Sequence, residues 1–260
     1  MKKEVTKRII NRLDYILLEL GKNFRCEIEL TVDMEEELLE EYNNYSEEYD
    51  IYDKVFESEG KKGVVNIVGK VLVPAMFKDF PSLNPYSPEN DKMSVVACDF
   101  NDKYALVRCD GKGTPLCDFE YDMITFLPGS INMFICEKRL CDKVVFGVLD
   151  GSGKIVVPCE MDEIEDPSNR VGSTYVYFTK GNKIGFLTMG GCYIEPQFDD
   201  VDICPKFLYV RKGDVGGFLS VDGEFIEEND KEKIKNKELL TFWSMNDYVH
   251  ELLDGYEGLV

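Results

Sequence analysis

The sequence predicts a mainly β protein: a tandem array of β-hairpins or short meanders, solenoid-like or propeller-like, with capping helices at both ends. Three observations carry this. First, a small residue inside an apolar run is followed six positions later by glycine five times along the chain, at Gly63 and Gly69, Ala105 and Gly111, Gly147 and Gly153, Gly185 and Gly191, and Gly217 and Gly223. Second, in three of these segments a proline lies five positions further on, at Pro74, Pro158 and Pro196. Third, the apolar runs on either side of the glycines are rich in Val, Ile, Phe and Tyr, which fit a pleated surface, whereas both ends of the chain switch to helical spacing. An internal repeat sets architecture before any single residue is read.

Taken in order, the division is a cap over 1–45, a five-copy repeat region over 46–230 and a second cap over 231–260. In the first cap, Val5, Ile9, Leu13, Ile16, Leu17 and Leu20 stand at helical spacing, and Gly21 offers a C-terminal stop. This helix is basic, carrying Lys7, Arg8 and Arg12, which suits packing on an otherwise acidic body. Cys26, Ile28, Leu30 and Val32 then alternate with polar residues, the period of a half-buried strand. A short acidic helix over about 34–42 follows, its Glu35, Glu36, Glu37, Glu40 and Glu41 forming a solvated face.

Within the repeat region the third copy, FGVLDGSGKIVVPCEMDEI, is the clearest. An apolar strand over 144–149 meets a turn made of Asp150, Gly151, Ser152 and Gly153, and a second strand over 154–157 ends at Pro158, which cannot donate to a ladder. The copies at Gly63 and Gly185 keep this frame. The second copy has Ala105 at the first small position and its proline one place early, at Pro115; the fifth lacks the proline, as a terminal repeat can. Further apolar runs at 94–98, 131–136, 174–179 and 206–210 precede the hairpins. Each repeat therefore reads as a meander of about three strands. In the second cap, Leu239, Phe242, Trp243, Val249, Leu252 and Leu253 make a broad apolar stripe at helical spacing, with His250 nearby.

Phe146-Gly147, Gly153, Pro158 and Met161-Asp162; Ile184-Gly185, Gly191, Pro196 and Phe198-Asp199; and Gly63, Gly69, Pro74 and Phe77 together form a frame that resembles the WG-repeat family. Units of that family carry a tryptophan-glycine pair, a turn, and an apolar strand ending in proline before an aromatic-Asp pair. The resemblance covers roughly 51–230. Lys62, Tyr104, Phe146, Ile184 and Gly216 stand where the family has tryptophan. The resemblance implies a β-repeat array and supplies no catalytic residues.

The chemistry on offer is sparse. Fifty acidic against 30 basic residues leave a formal net charge of −20, which repels phosphate backbones, so nucleic acid is not expected as a partner. Nine cysteines, an odd number falling mostly in apolar runs, read as small core residues of a reduced protein. With His250 the only histidine and no C-x-x-C pair, neither a Cys/His metal site nor a His-based nucleophile system is expected. Asp110 to Gly113 and Asp150 to Gly153 lack the Gly-Lys-Ser/Thr ending of a phosphate loop and the ligand spacing of a calcium loop, so they read as hairpin turns. The N-terminal stretch has charges scattered through its apolar positions and no apolar run is long enough to span a bilayer, so stable membrane insertion is not expected and the cytoplasm is the default location.

No cofactor, metal or catalytic residue is assigned. The expected function is non-catalytic recognition of a protein partner, with a basic partner favoured by the charge, as for immunity-type inhibitors. Loops over 81–91 and 166–173 are candidate binding elements. The alternative is a hydrolase using paired carboxylates on a glycan, drawn from Glu160, Asp162, Glu163, Glu165 and Asp166 or from Asp199, Asp200 and Asp202; recurrence of Asp at this point favours a turn or ladder-end role for them.

Overall fold

A computed structural model describes residues 7–24, 30–49, 51–83, 93–127, 132–164, 175–188, 191–204 and 207–240. The chain is mainly β and divides into two compact units, Met1–Glu120 and Tyr121–Val260. This division falls inside the repeated middle of the sequence.

The first unit begins with α1 (Lys7–Phe24) and α2 (Val32–Glu48). Ile9 and Leu13 of α1 bury their side chains with Ile51, and Ile10, Leu17, Tyr42, Tyr45 and Tyr49 pack against them. Two expectations need correction here. Gly21 does not stop α1, which runs one turn further to Phe24; an interior glycine costs a helix only about 1 kcal/mol relative to alanine, so it does not end one. Val32 is helical rather than extended, because the Thr31 hydroxyl accepts from the Met34 amide at 3.3 Å and caps α2 there. Cys26 and Ile28 of that expected strand lie outside the described residues.

β1 (Lys54–Ser58), β2 (Lys61–Val65) and β3 (Val71–Phe77) form one antiparallel sheet, and β4 (Ser94–Cys98) with β5 (Tyr104–Arg108) a second. Val64, Leu72, Val73 and Phe77 from the first meet Val95, Ala97 and Val107 from the second in one core, joined by Phe80 and Cys109 just beyond β3 and β5. Burying each Val, Leu or Phe in such a core is worth roughly 1.5–3 kcal/mol, before the entropy of ordering it is charged.

The second unit contains three four-stranded antiparallel sheets, each with its strands in chain order. They are β6 (Met123–Phe126), β7 (Met133–Arg139), β8 (Val144–Asp150) and β9 (Ile155–Met161); then β10 (Glu163–Ile164), β11 (Tyr175–Lys180), β12 (Lys183–Thr188) and β13 (Tyr193–Phe198); then β14 (Asp200–Cys204), β15 (Phe207–Lys212), β16 (Val215–Leu219) and β17 (Phe225–Glu227). Val148, Val157 and Met161 of the first pack on Val176, Phe178 and Leu187 of the second. Phe186, Ile194 and Phe198 of the second pack on Leu208, Val210 and Leu219 of the third. Neighbouring sheets of this unit thus share apolar cores.

The pattern of three strands per meander misses β6, β10 and β14. β6 and β10 are short, and β10 and β14 follow the preceding sheet after a one-residue step, Asp162 linking β9 to β10 and Asp199 linking β13 to β14. Glu163, Asp200 and Asp202 make two of them too acidic to read as apolar runs.

The recurring glycines explain the hairpins in detail. Gly153 has φ +84°, a left-handed conformation that glycine enters without steric cost. Its N–H donates to the Asp150 carbonyl at 2.9 Å, and the Asp150 N–H donates to the Lys154 carbonyl at 2.9 Å. The same two bonds recur with Gly69 and Asn66, with Gly191 and Thr188, and with Gly223 and Ser220. At each, a side-chain oxygen of the turn's first residue accepts an amide four positions on, from Lys70, Lys154, Cys192 and Glu224. The second copy departs: Arg108 donates to the Thr114 carbonyl, and Gly111 donates to the Leu72 carbonyl at 2.8 Å, so its turn is longer and tied to β3.

The earlier glycine of each copy answers a different demand. Phe146 pairs with Met161 and Val148 with Val157, so β9 uses three residues to span the single Gly147. This β-bulge folds β9 over Gly147, where an added Cβ would stand 2.7 Å from the Val157 oxygen and from Cys159 Cα. Gly63 and Gly185 face the same irregularity in β3 and β13. Pro74, Pro158 and Pro196 all lie in the bulged stretches, not at strand ends as the sequence suggests; a bulge removes the need for the donor that proline lacks. Gly217, whose copy has no proline, pairs with Glu227 in unshifted register.

At the C-terminal side, α3 (Lys231–Asn236) is one short helix, with Asp230 accepting from the Lys233 amide. Leu239 is not helical. Residues 238–240 run extended along β16, with Leu240 N–H donating to the Leu219 carbonyl at 2.7 Å and Val221 N–H to the Glu238 carbonyl at 2.9 Å. Phe242, Trp243, Val249, His250, Leu252 and Leu253 lie outside the described residues, as does most of the 81–91 loop and all of 166–173.

Candidate interaction surface

The acidic residues singled out in the sequence fall where one sheet passes into the next. Asp162 Oδ2 accepts from the Gly181 amide at 2.7 Å, and its Oδ1 from Lys143 Nζ at 3.1 Å. Asp199 repeats the arrangement one sheet on: Oδ2 accepts from the Gly213 amide at 2.8 Å, and Oδ1 is bonded by Lys183. Gly181 and Gly213 share φ values of +61° and +62° at the tips of their hairpins. Each aspartate therefore clips the hairpin of the following sheet to a lysine of its own. Asp122 does the same more simply, accepting from the Arg139 amide at 2.7 Å. In the first unit, Lys78 bonds Asp102, which is itself left-handed at φ +61° in the β4–β5 turn, and Asp79 accepts from Lys62 at 2.8 Å.

The remaining acids of these groups are surface pairs. Glu160 meets Lys180 at 2.6 Å and Asp200 meets Arg211 at 3.7 Å, all four about half exposed. Glu163 and Asp202 are exposed on β10 and β14, and Glu165 and Asp166 lie outside the described residues. Near α3, Lys237 reaches Asp222 at 2.8 Å and Glu224 at 3.0 Å, and Lys233 reaches Glu224 at 3.0 Å.

The protonation chemistry follows from these contacts. The Gly181 amide and then the Lys143 ammonium hold the Asp162 carboxyl below the usual range; the Gly213 amide and Lys183 do so for Asp199. Lys237 lowers Asp222, Lys233 and Lys237 lower Glu224, Lys62 lowers Asp79, and Arg12 lowers Glu41. Burial pushes Asp99 and Asp150 upward, but hydrogen bonds within their own turns outweigh it and both end lowered. Glu41, Asp79, Asp99, Asp110, Asp150, Asp162, Asp199, Asp222 and Glu224 are thus all shifted toward the ionised form. Asp53, 3% exposed, is the one acid buried among the described residues.

Cysteine placement is mixed. Cys98, Cys109 and Cys136 are buried, Cys117, Cys159 and Cys192 are half-buried, and Cys141 is exposed at the β7–β8 turn. Burial pushes the Cys109 thiol up to about 12, with the Asp53 and Asp110 charges adding to the effect. No group of three or more His, Cys, Asp or Glu side chains among the described residues is placed to hold a metal ion. No helix among them is long and apolar enough to cross a membrane.

The sequence singled out the aspartates but not their partners. Lys143 and Lys183 carry no motif, yet each lies at a strand's start 19 or 16 positions before its aspartate, a spacing visible only once the hairpin is known. The turn-capping roles of Asn66, Thr188 and Ser220 were legible in principle, since each stands three positions before a recurring glycine.

No protein-family model matches the sequence, and no curated protein matches it. Among solved structures, one described as a crystal structure of the eukaryotic initiation factor aligns over 76% of this chain and 54% of its own length, with a TM-score of 0.31 and 14% identity. The chain spans about half the length of that structure.

Proposed function

We propose that this chain is a non-catalytic recognition protein, built on a tandem β-repeat array of WG type, that binds a basic protein partner in the manner of an immunity-type inhibitor. The observation that carries the reading is the state of its carboxylates: among the described residues only Asp53 is buried, and Asp162, Asp199, Asp222 and Glu224 are each shifted toward the ionised form. A general acid for glycoside cleavage needs the opposite, a carboxyl held protonated by burial or by a second carboxylate. The recurring aspartates act instead as clips between successive sheets, which supports an array in which each unit is tied to the next. The excess of 20 negative charges then remains to attract a basic surface and speed its approach.

The test is affinity capture from the native cell with the full chain as bait, eluted on a salt gradient. A basic protein released by moderate salt, and captured less well by a Asp200→Asn, Asp202→Asn, Glu227→Gln variant, is the expected result. Salt-insensitive capture, or capture unaffected by removing these exposed charges, overturns the electrostatic reading.

A further inference from the structure

The second unit repeats one contact that the first sheet leaves incomplete. Asp122, Asp162 and Asp199 each make the same pair of bonds to the strand beside them. The aspartate N–H donates to a carbonyl, that of Glu137, Thr179 or Arg211, at 2.8 Å in all three. Its carboxylate accepts from the amide two residues further on, that of Arg139, Gly181 or Gly213, at 2.7, 2.7 and 2.8 Å. β6, β10 and β14 then continue antiparallel along β7, β11 and β15.

β1 stands where β7, β11 and β15 stand: it pairs with the strand carrying Gly63 as they pair with the strands of Gly147, Gly185 and Gly217. The first sheet has only three strands, and among the described residues none lies along the outer edge of β1. No residue of β1 is buried, whereas β7 and β11 each bury three. Glu59 and Gly60, at φ +53° and +71°, make a two-residue hairpin turn, so Ser58 bonds Lys61 and, by alternation, the amides and carbonyls of Val55 and Glu57 point outward. Glu57 and Glu59 thus hold the places of Thr179 and Gly181, and Glu59 shares the left-handed φ of Gly181 and Gly213. No hydrogen bond among the described residues reaches the Glu57 carbonyl or the Glu59 amide. β1 also has neither the proline nor the bulge that blunt β3, β9 and β13 as edges.

Register specifies the complement. The residue after each aspartate stands opposite Glu137, Thr179 or Arg211, and in the last sheet it forms an ion pair, Asp200 with Arg211 at 3.7 Å. On β1 the opposite residue is Glu57, which calls for Lys or Arg. The next residue is Ile124, Ile164 or Val201 in the second unit, and on β1 it would face the half-buried Phe56; a β-branched residue opposite an aromatic is a favourable cross-strand pair.

We propose that the outer edge of β1, with the Glu57 carbonyl and the Glu59 amide at its end, binds an extended partner segment of sequence Asp-Lys/Arg-Ile/Val as an added antiparallel strand. The site continues in the first sheet the contact that joins successive sheets of the second unit. Two such runs occur in this chain, Asp53-Lys54-Val55 and Asp142-Lys143-Val144, but Val55 is paired with Val64 and Val144 with Arg139, so a second copy does not offer an extended one. The site goes beyond the basic-partner reading and does not depend on it, because backbone groups and one carboxylate define it rather than net charge.

The experiment titrates the full chain with a fluorescent synthetic peptide containing Ser-Asp-Lys-Ile-Thr, following anisotropy, and with two relatives that have Asn for the Asp or Glu for the Lys. The Asn peptide is expected to bind about tenfold more weakly, since the charge-assisted bond to the Glu59 amide is lost. The Glu peptide is expected to bind roughly two- to fivefold more weakly than the Lys peptide, and Glu57→Lys in the protein to invert that preference. Hydrogen exchange at the Val55 and Glu59 amides, followed by NMR, should slow with the Asp-Lys peptide. Equal binding of the Asp and Asn peptides, a Lys preference that survives Glu57→Lys, or unchanged exchange at those amides overturns the site. So does the absence of binding by any peptide up to about 1 mM, and none of these results touches the salt-gradient capture of a basic protein. A dimer in sedimentation that the Asp-Lys peptide fails to dissociate and Glu57→Lys disrupts also overturns the proposal, in favour of pairing between two copies of β1.

Discussion

Replacing Gly147 with alanine tests the link between the recurring glycines and the bulge. A Cβ at that position would lie 2.7 Å from the Val157 oxygen, 2.7 Å from Cys159 Cα and 2.8 Å from Cys159 N, all main-chain atoms of β9. Main chain cannot swing aside as a side-chain tip can, so β9 has to move by several tenths of an ångström in a sheet whose other face carries the Val148 and Val157 core. Overpacking of this kind costs roughly 1–3 kcal/mol. Restricting the unfolded chain returns about 0.4–1 kcal/mol, so the net loss is on the order of 1–2 kcal/mol. At about 2–4 °C per kcal/mol for a chain of this size, the melting temperature falls by roughly 2–8 °C. Differential scanning calorimetry and urea titration of the full chain measure it. Gly69→Asn is the control: Gly69 has φ +84° with nothing within 4 Å of an added Cβ, and asparagine tolerates that conformation, so it should cost less than Gly147→Ala. A Gly147→Ala protein that melts within 1 °C of wild type, or more stably than Gly69→Asn, would refute the bulge argument.

Three further outcomes are expected. Pro158→Ala should change stability by less than about 1 kcal/mol in urea titration, because the bulge asks no ladder donor of residue 158 while alanine loosens the unfolded chain slightly. Asp162 and Asp199 have folded pKa values below their unfolded ones, so the stability they contribute is present above the unfolded value near 3.9 and drains as pH falls below it; Asp199→Asn should lower stability at pH 7 and shallow the acid limb of the melting-temperature profile, and an unchanged limb would count against the clip. In thiol titration with an aromatic disulfide at pH 8, Cys141→Ser should remove one equivalent from the fast phase, whereas Cys109 should react only on unfolding; fast labelling of Cys109 by mass mapping would contradict its burial.

The hairpins were legible because their information is local. Asp150, Gly151, Ser152 and Gly153 between two apolar runs are enough to specify a turn, and the turn there has the bonds such residues make. The prolines misled for the same reason: a proline in isolation argues for a strand end, and only pairing with β8 reveals that Pro158 lies in a bulge over Gly147. Gly21 does not stop α1 because one interior glycine costs too little to end a helix, and Val32 is helical because the Thr31 cap outweighs a weak local preference for strand.

By itself, then, the sequence determined that the chain is mainly β, where its hairpins turn, that α1 is amphipathic, and that its charge is strongly acidic; these depend on residue type and short-range periodicity. Only the tertiary structure decided that the meanders of the second unit have four strands, and that the recurring aspartates clip the next hairpin to a lysine far away in sequence. The physical reason is separation along the chain: which strand edge, which lysine or which helix face meets a given residue depends on contacts between segments, and no window of neighbouring residues contains them.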